Sequence, residues 1–151
     1  MSKDFKEQLI LHLHSILDEK INGFKANIAS IQESRDNDTK SSAGDKFETG
    51  RAMADIELAN VERQLNQTLN QKQELNRLSP NADHNNAHYG SLVYTTAGLY
   101  FLAISLGPVK FDKEEVFCIS LSSPIGEAIK GKKAGEDFSF RGRSIFIKDI
   151  Q

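Results

Sequence analysis

Two apolar seams with one shared period dominate the first half of the chain. Leu17, Ile21, Phe24, Ile28 and Ile31 follow one another at intervals of 4, 3, 4 and 3 residues, the spacing that keeps one stripe of a helix turned toward a partner helix. Phe5, Leu9, Leu13 and Ile16 extend this seam backwards. A second seam, Ala54, Leu58, Val61, Leu65, Thr68, Lys72 and Leu75, repeats the same intervals, with Leu69 and Leu78 alongside. Between them the stretch Glu33 to Lys46 is polar, rich in Ser, Asp and Asn with Gly44, and reads as a turn with helix-start chemistry around it. Two such seams joined by a polar turn fold back as an antiparallel pair, because each covers the other's apolar stripe. A helix of roughly 30 residues would make an arm on the order of 45 Å long. A hairpin of this kind is too thin for a core of its own. Periodicity alone favours half of a helical bundle or a dimerising coiled coil; the polar tip brings in a reaching arm as the other reading.

The first 78 residues contain no proline and the remaining 73 contain all three, so the composition breaks near Ser79-Pro80. The expected domains are a helical hairpin over 1–79 with an acidic polar tip near 35–48, a polar linker over 80–90, and a second domain over 91–151. In the last, Leu92 to Thr96, Leu99 to Leu106 and Val116 to Leu121 are rich in β-branched and aromatic residues and bounded by Gly or Pro, which marks strands. Ser122-Ser123-Pro124 supplies a serine N-cap and a proline at the first helical position, opening a short helix that ends at Gly131. Phe138 to Arg141 and Ser144 to Ile150, joined at Gly142, read as a hairpin. The fold class is therefore α+β: an antiparallel helical hairpin followed by a small antiparallel β domain with one short helix.

Charge and cysteine usage exclude several classes. A net charge of −2 over 151 residues gives no global attraction to nucleic acid or an anionic membrane. Cys118 is the single cysteine, so no internal disulfide forms and a reducing compartment suits the chain. Charges occupy the first residues where a signal peptide would carry its apolar stretch, and the longest apolar run, Ala97 to Leu106, is too short to span a bilayer. A cytoplasmic location without membrane contact is the expectation.

Four carboxylates, Asp36, Asp38, Asp45 and Glu48, stand against Lys40 and Lys46 in the presumed tip. Acids clustered at an exposed turn bind a hard cation through oxygen ligands, or serve simply as solvated turn and capping residues. An EF-hand is excluded, since Lys40, Ser41 and Phe47 occupy positions that require an acid or amide, a glycine and a glutamate. Gly126 to Lys132 matches a phosphate-binding loop up to its lysine, but Lys133 follows where Ser or Thr is needed and the stretch reads as the helix itself. His84 and His88 lack a third ligand nearby for zinc, and His12 and His14 diverge on a helix. Cys118 lies in an apolar strand without a base beside it, a small hydrophobe and not a nucleophile. Lys130, Lys132, Lys133, Arg141, Arg143 and Lys148 outnumber the nearby acids and form a candidate basic face, for RNA, DNA or an acidic protein surface, or a solvated rim.

The run Ile119 to Glu136, with its apolar strand, Ser122-Ser123-Pro124-Ile125, short helix, Gly131-Lys132 and Gly135-Glu136 turn, resembles the C-terminal signature of the Gre-type transcription elongation factors. Asp38-Thr39-Lys40-Ser41-Ser42-Ala43 is similar to that family's tip pattern of Asp, any residue, Lys, Glu, Asn, Ala. The resemblance implies a C-terminal domain of FKBP-like fold, without isomerase activity, that docks on RNA polymerase. It further implies a monomer whose hairpin reaches the polymerase active site through the secondary channel, with at most indirect contact to nascent RNA. Such a protein modulates an enzyme and has no catalytic residues of its own. By the same resemblance the tip acids, Asp38 first among them, help hold a magnesium ion shared with the polymerase, and no intrinsic cofactor is implied; Ser122, Ser123 and Pro124 fall in the docking region. Ser41 stands where the second acid, a glutamate, is expected, and a hydroxyl is a poorer magnesium ligand than a carboxylate. Asp36, Asp45 and Glu48 are the acids left to compensate. The alternatives are a polymerase-binding inhibitor or competitor without cleavage activity, and a structural coiled-coil protein.

Overall fold

The computed structural model describes residues 3–38, 44–79 and 82–151. Two long helices come first, α1 (Lys3–Asp38) and α2 (Gly44–Asn76). The helix continues through the polar residues Glu33 to Asp38, because that stretch contains neither Gly nor Pro and its side chains cost little in an exposed helix. Residues 39–43, which include the resemblance-bearing Lys40 and Ser41, lie outside the described residues, as do Pro80 and Asn81.

By internal contacts the chain divides into two units, one comprising residues His14–Gln73 and the other Met1–Leu13 with Glu74–Gln151. In the helical unit the seams behave as their spacing requires. Leu17 and Ile21 are buried, Phe24, Ile28 and Ile31 are half-buried, and from α2 Ala54, Leu58, Val61 and Leu65 are half-buried with Thr68 buried. Leu69, beside the seam, is exposed. Two ion pairs fix the antiparallel sense: Arg35 with Asp55, at 3.0 Å, and Lys72 with Asp18. Late residues of α1 thus meet early residues of α2, and the reverse. The buried Thr68 hydroxyl donates to the Gln64 carbonyl at 2.9 Å, which removes the cost of an unpaired polar group in the seam.

The other unit is built on six strands, β1 (Leu92–Thr95), β2 (Gly98–Leu102), β3 (Gly107–Phe111), β4 (Glu114–Ile119), β5 (Asp137–Phe140) and β6 (Arg143–Ile150), in the order β3-β4-β2-β1-β6-β5. All neighbouring pairs are antiparallel except β2 and β4, which run parallel. The parallel pair arises because β3 is not inserted between them but lies outside β4. β3 was not expected from the sequence: Pro108 weakens a strand reading, and proline is tolerated here because β3 is an edge. Paired residues share a face, so the registers Leu92 with Phe101 with Cys118 and Leu99 with Val116 with Val109 define one buried layer. Val93, Tyr100, Leu102, Phe138, Ile145 and Ile147 define the opposite layer, where Ile129 of the short helix α3 (Pro124–Ile129) packs. Leu9 and Leu13, from the first turns of α1, are fully buried in this unit, and Phe5 packs its ring on Phe111 with centroids 5.5 Å apart.

Candidate functional site

The loop between β4 and α3 is held by a short relay of serines. Ser123 caps the helix: its side-chain oxygen accepts from the Gly126 amide at 3.1 Å and its hydroxyl donates to the Ser120 carbonyl at 2.7 Å. Pro124 takes the first helical position, where its missing N–H leaves nothing unpaired. Gly126 is required by space and not by conformation, since a Cβ there would stand 2.1 Å from the Ser120 carbonyl oxygen. The cap and the glycine together press the loop against the start of α3. Ser122 is left exposed, its hydroxyl 3.2 Å from that of Ser120.

Ser120, Leu121 and Ser122 form one wall of an open hollow of about 490 Å³ whose other lining residues are Glu74, Arg77, Tyr89 and Ala103. The Tyr89 hydroxyl donates to the Glu74 carbonyl, and its pKa is raised, first by burial and then by the Glu74 charge, with Arg77 opposing. Of the residues taken from the sequence as docking residues, Ser122 lines this hollow, whereas Ser123 and Pro124 act on it by shaping the loop. Glu74, Arg77 and Tyr89 were missed. No local pattern marks them, because they reach the hollow only through the folding of residues far from the β4–α3 loop.

The tip acids are placed only in part. Asp36 and Glu48 are exposed residues of α1 and α2. Asp38 ends α1 and Asp45 belongs to α2, but their side chains lie outside the described ones. Among the described residues no three His, Cys, Asp or Glu side chains gather as a metal site.

His84 and His88 stack, with ring centroids 4.2 Å apart and planes inclined by 11°. The Ser91 hydroxyl oxygen lies 2.7 Å from His84 Nδ1 and accepts from the His88 amide at 2.9 Å, while His88 Nδ1 donates to the Asn86 carbonyl at 2.8 Å. The His84 pKa is lowered to about 4, chiefly by burial, then by the charge of Lys6 and by His88, with Asp83 opposing. Lys6 is itself buried, donates to the main-chain oxygen of Gln151 at 3.1 Å, and has its pKa lowered to about 8 by that burial. Burial pushes the Cys118 thiol up to about 12, which leaves it protonated and unreactive. Gly126 to Ile129 lie inside α3 and Lys130 caps its C-terminal end, so the phosphate-loop match runs off the end of a helix and does not open one. The basic residues Lys130, Lys133, Arg141, Arg143 and Lys148 are exposed, with the Arg141 guanidinium 5.1 Å from the centre of the Phe140 ring. No described helix is long and apolar enough to cross a membrane.

Comparison with known proteins finds no matching family model and no matching curated protein. Among solved structures, that of the transcription factor Gfh1 aligns with 91% of this chain and 92% of its own, at a TM-score of 0.35 and 18% identity. At those values neither function nor site residues carry across. The architecture stands on its own: a helical hairpin joined to a mostly antiparallel β unit with one short helix.

Proposed function

We propose that the chain is a transcription factor of Gre type that binds RNA polymerase, the β unit docking on the polymerase and the helical hairpin entering its secondary channel to modulate the active site. The observation that carries this reading is the β4–α3 loop. The segment whose sequence resembles the Gre signature folds as a strand, a serine-capped helix and a closing turn, and it leaves Ser122 exposed on the wall of a hollow. Element order agrees with the same reading, with a long helical hairpin first and the β unit after it.

On this reading the chain is not an enzyme. Its own contribution at the polymerase centre is negative charge carried by Asp38, with Asp36, Asp45 and Glu48 nearby in sequence, and any magnesium there is shared with polymerase ligands. Extra carboxylate at a two-ion site helps orient water for attack on a phosphodiester. Ser41 favours a second version, in which the protein occupies the channel without stimulating cleavage and so competes with true cleavage factors.

Transcript cleavage by a backtracked polymerase, measured with the wild-type chain and with Asp38→Ala, separates the versions. Stimulation lost in the variant establishes a cleavage factor; binding without stimulation establishes the competitor. Absence of any polymerase binding overturns both.

A further inference from the structure

A second hollow, of about 370 Å³, opens between the first turns of α1 and the turn joining β3 to β4, lined by Asp4, Phe5, Gln8, Phe111 and Asp112. Its apolar part is two half-buried rings, Phe5 and Phe111, inclined by 53°. His12 backs Phe111 from one turn beyond Gln8 along α1, its ring centroid 5.1 Å away and its plane inclined by 27°. Among the described lining residues the charged ones, Asp4 and Asp112, are both acidic and both exposed. Leu11 is 61% exposed, three residues from Gln8 and so on the same side of the helix.

Each acid has a local reason for its place. Asp4 complements the dipole in the first turn of α1, and Asp112 takes a positive φ of 49° in a tight turn, where Asp is tolerated. The two rings that pack on each other line the same hollow as both carboxylates. Together these features are complementary to one kind of group. A guanidinium is planar, stacks on aromatic faces, and forks onto carboxylates.

We propose that this hollow is a docking site for an arginine side chain of a partner protein, the guanidinium lying over the mutually packed rings of Phe5 and Phe111 and pairing with Asp4 and Asp112, with a neighbouring apolar residue on Leu11. The site is separate from the β4–α3 loop and does not depend on polymerase binding.

The probe is the dipeptide N-acetyl-arginyl-leucine amide, titrated into the full chain while the ring signals of Phe5 and Phe111 are followed by NMR. Saturable shifts confined to Phe5, Phe111, Gln8 and Leu11 are expected. The citrulline analogue, equal in shape but uncharged, is expected to give no saturable shift, and the lysine analogue to bind about threefold more weakly or worse. The double variant Asp4→Asn, Asp112→Asn should weaken arginine binding by roughly fivefold or more. If that variant loses its native spectrum, Gln8→Lys, which leaves both rings and both acids in the sequence and puts a positive charge on the wall of the hollow, replaces it and should abolish the shifts. Equal response to arginine and citrulline, equal response to arginine and lysine, or shifts unchanged in these variants would overturn the proposal.

Discussion

Gly126 and Gly23 are both helical glycines, and the space around them gives their replacement opposite signs. A helical glycine costs roughly 0.5–1 kcal/mol relative to alanine. At Gly23 an added Cβ meets nothing within 4 Å, so Gly23→Ala should stabilise by about that amount. At Gly126 the same Cβ would stand 2.1 Å from the Ser120 carbonyl, a clash with backbone that cannot turn away. Overpacking of this kind costs about 1–3 kcal/mol and exceeds the propensity gain. Gly126→Ala should therefore lower the urea midpoint while Gly23→Ala raises it; midpoints moving in the same direction would contradict the close approach. His84 supplies a residue-scale pH dependence. Its folded pKa of about 4 lies below the ordinary 6.5, so the unfolded chain binds the proton more readily. The contribution to stability is complete above pH 6.5 and is lost as pH falls toward 4. The groups bearing on it are Lys6, His88 and Asp83. His84→Gln should flatten this limb of the stability profile relative to wild type, and an unchanged slope between those pH values would remove His84 as its source.

At the scale of elements, the test is whether the seam or the helix surface carries the stability of the hairpin. Leu17 is fully buried and Leu69 is 37% exposed, though both are helical leucines. Leu17→Ala should cost about 2–5 kcal/mol and Leu69→Ala about 0.5 kcal/mol or less, read from denaturant melts. Similar losses at the two sites would mean that the seam is not the hairpin's core. The two helices were legible in the sequence because burial follows the 4, 3 spacing residue by residue from Leu17 to Ile31 and from Ala54 to Thr68. β3 was not, since an edge strand needs only one paired side and tolerates Gly107, Pro108 and Lys110, residues that argue against a strand in isolation. The serine cap was legible for the opposite reason: Ser123 and Pro124 act on backbone groups within three residues of themselves. The hollow beside it was not, because Glu74, Arg77 and Tyr89 come to Ser122 through the tertiary fold. Nor was the burial of Lys6, whose partner Gln151 is 145 residues away.

At the scale of the whole molecule, the proposed function assigns two separable tasks to two parts of the chain, holding the polymerase and acting at its centre. A substitution that fills the hollow should impair the first without touching the second. Ser122 suits this purpose, because it is exposed and its hydroxyl pairs with that of Ser120, whereas Ser123 holds the helix cap and its loss would cost about 1 kcal/mol of stability. Ser122→Trp places a large ring in a hollow of about 490 Å³ and leaves the cap and Gly126 in place. Its expected outcome is a polymerase affinity at least tenfold weaker with an unchanged melting curve, a loss of about 1.4 kcal/mol of binding energy. Asp38→Ala should do the reverse, retaining affinity while altering whatever effect the bound protein has on cleavage. Measuring both variants for both properties makes the division of labour refutable. If Asp38→Ala abolishes binding, the acidic end of α1 is the anchor; if Ser122→Trp binds normally, the β4–α3 loop is not the docking surface, and the structural role of its serines is the whole of their function.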